Sequence, residues 1–296
     1  MTLYNLLYKL ALINLSNLGE DRGQLFKVKK KMLSKDVTAF IERTGAGLNK
    51  SIAGIGFATK TLTNATSILF FGRARSQPMR LRHLISEINT AGVQALPVVI
   101  LMSAMIGVML AIQGIYSLRV FGAETQVTFG LALSIPREFA PLITGILVAG
   151  RSGSQLTSRV GSMRLNGEID ALTVMGISPT RFVVTPSLLG LAISLPILVA
   201  IANLAAFGAA GLYIDATLGI GPQAYWADIL SIVTMTDLYH SFGKSVIFAI
   251  LIGAVGISIG MGVSGGADVL GKATTSSVVT CIAAIIAADA IFALVA

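Results

Sequence analysis

With 296 residues, 54% of them apolar and only 12% charged, the chain is excluded from the ordinary soluble domains, because its apolar runs outlast a buried soluble helix. The net charge of +8 is crowded at the front, where residues 1–94 hold 14 of the 22 Lys and Arg; that suits an anionic cytoplasmic leaflet, and no fold signature points to nucleic acid. The single cysteine, Cys281, lies in an apolar run and excludes both a disulfide framework and a cysteine metal site.

Residues 1–47 read as a basic, poorly ordered leader around Lys29, Lys30 and Lys31, with no apolar h-region or cleavage site behind them. Residues 48–89 read as an interfacial region. Leu48, Ile52, Ile55, Leu62, Ala65 and Leu69 recur at helical spacing, and arginines 73, 75, 80 and 82 follow. Residues 90–296 form the membrane domain.

Five spans are expected there: Ala91–Leu118, Val127–Gly150, Phe182–Ile214, Leu238–Val263 and Ala273–Ala296. The first is about 42 Å long at 1.5 Å per residue, so it tilts or extends beyond the bilayer core. Pro136 and Pro141 are expected to kink or open the second. The polar segment 151–181 carries Arg151, Arg159, Arg164 and Arg181 and reads as a cytoplasmic loop. The stretch from Asp215 to Asp237 has three acids and no Lys or Arg, as an outer loop would; Trp226 sits there as a belt residue. The fold class is all-α: an N-terminal amphipathic interfacial helix, about five transmembrane helices and a cytoplasmic helix.

Arg137 and Glu138 fall inside the second span, where charge costs about 2.5–3.5 kcal/mol on insertion scales. Two readings follow. The pair lines a polar cavity that a head group or water enters, or it locks helices together, Glu138 with Lys244 and Arg137 with Asp289. Lys244 and Asp289 are otherwise expected near the outer interface, where a side chain reaches water. His83 and His240 are isolated, and no metal-ligand spacing occurs. No GxxxxGK[ST] loop is present, so ATP hydrolysis requires another subunit.

Residues 165–178 read as a two-faced helix with Glu168, Ile169, Leu172 and Met175 at helical spacing, stopped by Gly176 and Pro179. It either docks on a soluble partner or packs beneath its own spans.

Four stretches carry a resemblance: REFAPLITGILVAGRSGSQLTSRVGSM at 137–163, EIDALTVMGISP at 168–179, KSVIFAI at 244–250 and GKATTSSVV at 271–279. In this order and spacing they resemble the MlaE/YrbE family of permease subunits, which serve ABC transporters working with MCE proteins. The resemblance implies a homodimeric, non-catalytic permease in the bacterial inner membrane. It implies phospholipid or another hydrophobic cargo, a role in outer-membrane lipid asymmetry, and a periplasmic MCE partner. It also implies a cytoplasmic ATPase that binds ATP and Mg, with room for a small accessory subunit; the chain itself is expected to hold no cofactor. The expected cargo residues are Arg137, Glu138, Leu110, Leu118, Phe121 and Lys244. The expected ATPase-coupling residues are Glu168, Ile169, Asp170, Leu172 and Met175. An ion-coupled carrier using Glu138, or a scaffold, is the alternative.

Overall fold

The computed structural model describes residues 81–295, which contain helices and no strand. The leader 1–47 and the amphipathic stretch 48–71 lie outside the described residues. The helices in order are α1 (Leu81–Ala91), α2 (Leu96–Arg119), α3 (Val127–Ser134), α4 (Ala140–Val148) and α5 (Ser154–Leu165). They continue with α6 (Glu168–Val174), α7 (Thr185–Leu218), α8 (Pro222–Ile232), α9 (Met235–Met261) and α10 (Ala267–Val295). Only helix satisfies every backbone group inside a single segment, so chains this apolar take that form in lipid.

Five stretches are long and apolar enough to cross a membrane: His83–Arg119, Glu124–Leu165, Phe182–Leu218, Met235–Met261 and Ala267–Leu294. The protein is an all-α, multi-pass membrane protein. Four of the five expected spans agree in position to within several residues. The second differs. Its helix does not end at Gly150 but passes through π-turns at Ile135–Phe139 and Ala149–Gly153 and runs on as α5 to Leu165.

The polar composition of 151–165 suggested a loop because hydroxyls and glycines normally seek water or turns. Here they are spent on helix packing. Gly153, Gly161, Gly256 and Gly260 let α5 approach α9 and α10 closely. Thr157 Oγ1 donates within 3.0 Å of the Gly256 carbonyl and lies 2.7 Å from Ser277 Oγ, with both residues fully buried. Small residues with interhelical hydroxyl bonds are what join helices in lipid, where no hydrophobic force drives them together. The loop before the last span shortens for a related reason: α10 starts at Ala267 rather than 273 and brings Leu270 against Gly161.

α7 is the hub, with α1, α2, α4, α8 and α9 all packed on it. The α2–α7 seam is closest at Gly107, where a Cβ would stand 2.2 Å from the Ala206 carbonyl oxygen. Gly107→Ala therefore forces two helices apart and is expected to destabilise the protein by about 1–3 kcal/mol. Thermal unfolding of the detergent-purified chain reads this out, and an unchanged midpoint would refute the seam.

Beyond α7 the chain turns at Gly219, whose φ of 69° favours glycine, and returns along α8. Tyr225 anchors α8: its ring fills the space beside Gly211, and its hydroxyl donates to the Phe207 carbonyl at 3.1 Å. Burial pushes this phenol well above the usual tyrosine range, so it stays protonated and keeps that bond at any physiological pH.

Candidate functional site

The first π-turn of the second span, Ile135–Phe139, is built by its two prolines. Pro141 has no N–H, so the carbonyl four residues before it, that of Arg137, loses its helical donor. Pro136 sits at the start of the same turn, and the N–H of Ala140 bonds back to Ile135 across the wider ring. A freed carbonyl inside a membrane must find another donor. Lys244 of α9 supplies it, with Nζ 2.8 Å from the Arg137 carbonyl oxygen.

The same ammonium donates to Glu138 Oε1 at 2.8 Å and to Asp289 Oδ1 of α10 at 3.0 Å, and it lies 5.9 Å from the centre of the Phe292 ring. All three protons of Lys244 are thus directed at acceptors, and its side chain is 1% exposed. Beside it, Arg137 Nε donates to Asp237 Oδ1 at 2.6 Å. Asp237 also begins α9: its Oδ2 accepts from the Thr234 N–H at 2.9 Å, and its own N–H faces Thr234 Oγ1 at 3.4 Å. This capping box fixes the carboxylate before Arg137 meets it.

Two cations and three carboxylates therefore share one spot, with one formal negative charge in excess. The cluster has a sealed side and an open side. Asp237, Lys244 and Asp289 are buried, whereas the Arg137 and Glu138 side chains are 48% and 38% exposed. Among the described residues Arg137 uses only Nε and Glu138 only Oε1, leaving a guanidinium edge and a carboxylate oxygen for something else. Among the described residues no three His, Cys, Asp or Glu side chains converge as metal ligands.

The structure joins Glu138 to Lys244 as one of the two sequence readings had it. Arg137 does not reach Asp289, however, because Lys244 occupies Asp289 and Asp237 lies nearer to Arg137. Lys244 is not an interfacial residue reaching water but the buried centre of the cluster. Asp237 was missed because it read as one more outer-loop acid. Its signal was present as Thr234-x-x-Asp237 ahead of an apolar run, with Lys244 two turns later on the same face.

The apolar cargo candidates lie elsewhere. Leu110 and Leu118 are partly buried on α2, and Phe121 stands 81% exposed in the turn after it. On the opposite side of the molecule, Gly167 at φ 72° turns the chain from α5 into α6. Ile169 and Leu172 of α6 point inward, whereas Val174 and Met175 are 89% and 63% exposed. Glu168 accepts a 3.3 Å bond from Asn166, and Asp170 pairs with Arg164 at 2.7 Å. His83 meets Phe182 at a tilt, with ring centres 5.8 Å apart.

Five candidate spans joined by a partly open ion cluster define a multi-pass helical membrane protein. Residues 84–295 match the family described as permease MlaE, and the chain belongs to that family of ABC transporter permeases. It is 30% identical over 205 residues to a probable ABC transporter permease of Synechocystis, covering 69% of this chain and 78% of the relative. It is also 30% identical over 216 residues to the intermembrane phospholipid transport system permease protein MlaE of Haemophilus influenzae, covering 71% and 82% respectively.

Proposed function

We propose that this chain moves phospholipid between the bacterial inner membrane and a periplasmic MCE protein, driven by a separate ATPase subunit that binds ATP and Mg. The observation that carries the reading is the open edge of the cluster. Among the described residues Arg137 has unused guanidinium donors and Glu138 an unused oxygen, on successive residues of one turn. A phosphate with a neighbouring ammonium complements that pair, since guanidinium binds phosphate strongly and carboxylate binds ammonium. Leu110, Leu118 and Phe121 would receive acyl chains.

A homodimer fits the outward face of α10, where exposed Ser276, Thr280, Ala283, Ala287 and Ala290 form a small-residue edge suited to another helix. On the cytoplasmic side α6 would meet the ATPase, with a small accessory subunit as a further partner. Family membership favours this ATP-driven scheme over an ion-coupled carrier or a scaffold.

The test is transfer of a fluorescent phospholipid from proteoliposomes holding the permease and its ATPase to a soluble acceptor. ATP-dependent transfer is expected, and Glu138→Gln should lower it at least tenfold while Asp289 still holds Lys244. Transfer that ignores ATP, or equals wild type in the variant, would overturn the proposal.

A further inference from the structure

Three of the five spans are interrupted where they pass one another. The first breaks between α1 and α2. Pro97 has no N–H for the Val93 carbonyl, which takes that of Leu96 across the tighter turn Val93–Ala95. The second opens at its second π-turn, Ala149–Gly153. The third carries Pro196 inside α7, which deprives the Ala192 carbonyl of its helical donor. These breaks lie together. Arg151 Nη2 donates to Gln94 Oε1 at 2.9 Å, and a Cβ on Gly92 would stand 3.0 Å from Ser194 Oγ. Ala91, Ser152 and Leu191 line one small cleft.

α9 and α10 pass the same level as unbroken helices, where a Cβ on Gly153 would stand 3.2 Å from Ile252 Cγ2 and 3.7 Å from Cys281 Sγ. With α5 packed on them they form a post, and they hold Lys244 and Asp289. Beyond the breaks, α2 and the rest of α7 form an arm, closed along the Gly107–Ala206 seam and carrying Leu110 and Leu118. Prolines and π-turns concentrate helix bending, so the arm swings against the post more easily than either bends.

Buried polar groups favour an opened position. Among the described residues, Asn203 on the arm is 6% exposed with neither amide atom partnered, and the buried Ser241 on the post has an unpartnered hydroxyl. Such groups are costly to bury unpaired, and water or a head group reaching them on opening would offset that cost.

We propose that the arm, α2 with residues 197–218, pivots at this layer of breaks and opens the way to the Arg137–Glu138 cluster. This rests on the lipid-transport reading and supplies its gate.

Spin labels at Tyr116 on α2 and Tyr239 on α9, both largely exposed, report the distance between arm and post by double electron–electron resonance. The full chain is placed in lipid nanodiscs and diluted with unlabelled chain, so that distances within one chain are read. Two populations are expected. Pro97→Ala with Pro196→Ala restores both helical donors and should narrow the distribution about twofold, to a single population. Asn203→Leu removes the unpaired amide and should lower the longer-distance population about tenfold. Pro222→Ala, at the start of α8, should change neither. In proteoliposomes with the ATPase, the proline pair should lower lipid transferred per ATP hydrolysed about tenfold.

One narrow population in the unsubstituted chain, or two that survive both variants, overturns the hinge and leaves the transport reading standing. Narrowing with transfer per ATP unchanged overturns the gate. Populations that respond as expected in a chain that transfers no lipid leave the hinge standing and overturn the transport reading. Should the proline pair not fold, Asn203→Leu decides, because leucine fills the place of asparagine without a polar group.

Discussion

Lys244→Met should cost the folded protein about 3–5 kcal/mol, the largest single effect expected of any residue in the cluster. Methionine fills much of the same volume, so the loss is electrostatic rather than a cavity. Three groups lose their donor together: the Glu138 carboxylate, the Asp289 carboxylate and the Arg137 carbonyl that Pro141 cannot serve. Two buried or half-buried anions then face each other without a cation. Thermal unfolding of the detergent-purified chain measures the cost. The triple variant Lys244→Met, Glu138→Gln, Asp289→Asn removes the uncompensated charges and should recover most of the stability, because neutral replacement of a buried ion group is far cheaper than breaking it. It should not recover lipid transfer, since the open carboxylate edge is gone. A triple variant that regains transfer would make the cluster a structural lock only, and a stable single variant would contradict the geometry itself.

The spans were legible because the bilayer imposes a rule that a single sequence displays: about 20 apolar residues per crossing. The prolines at 136 and 141 likewise announced the opened turn. What the sequence hid was polarity satisfied at long range. Thr157 reads as a loop residue until Gly256 and Ser277 are placed against it, more than 90 positions away. Arg137 and Glu138 advertised themselves by their cost, yet their partners could only be guessed among the remaining charges. Glu138 with Lys244 was recoverable in that way. Arg137 with Asp237 was not, because Asp237 stands at a helix start, where an acid already has a reason to be. Arg151 was absorbed into a presumed loop for the same reason as Thr157. Its pairing with the neutral amide of Gln94 is visible only once α2 is placed beside it.

On the face proposed to meet the ATPase, Val174→Asp combined with Met175→Asp should leave the protein folded and abolish co-purification of the ATPase subunit. Both side chains are largely exposed, so the substitutions disturb little of the packing among the described residues. In a docked complex the same positions would bury two carboxylates against an apolar surface, and each unpaired buried charge costs several kcal/mol. Leu172→Asp separates docking from folding. Leu172 is 9% exposed and turned inward with Ile169, so its replacement should unfold or displace α6 and lower the thermal midpoint of the isolated chain. The two variants therefore predict opposite patterns: normal stability without the partner for the first, reduced stability before any partner is added for the second. Pull-down of the ATPase beside thermal unfolding of the permease alone distinguishes them. Retention of the ATPase by the double variant would move the coupling surface away from Val174 and Met175.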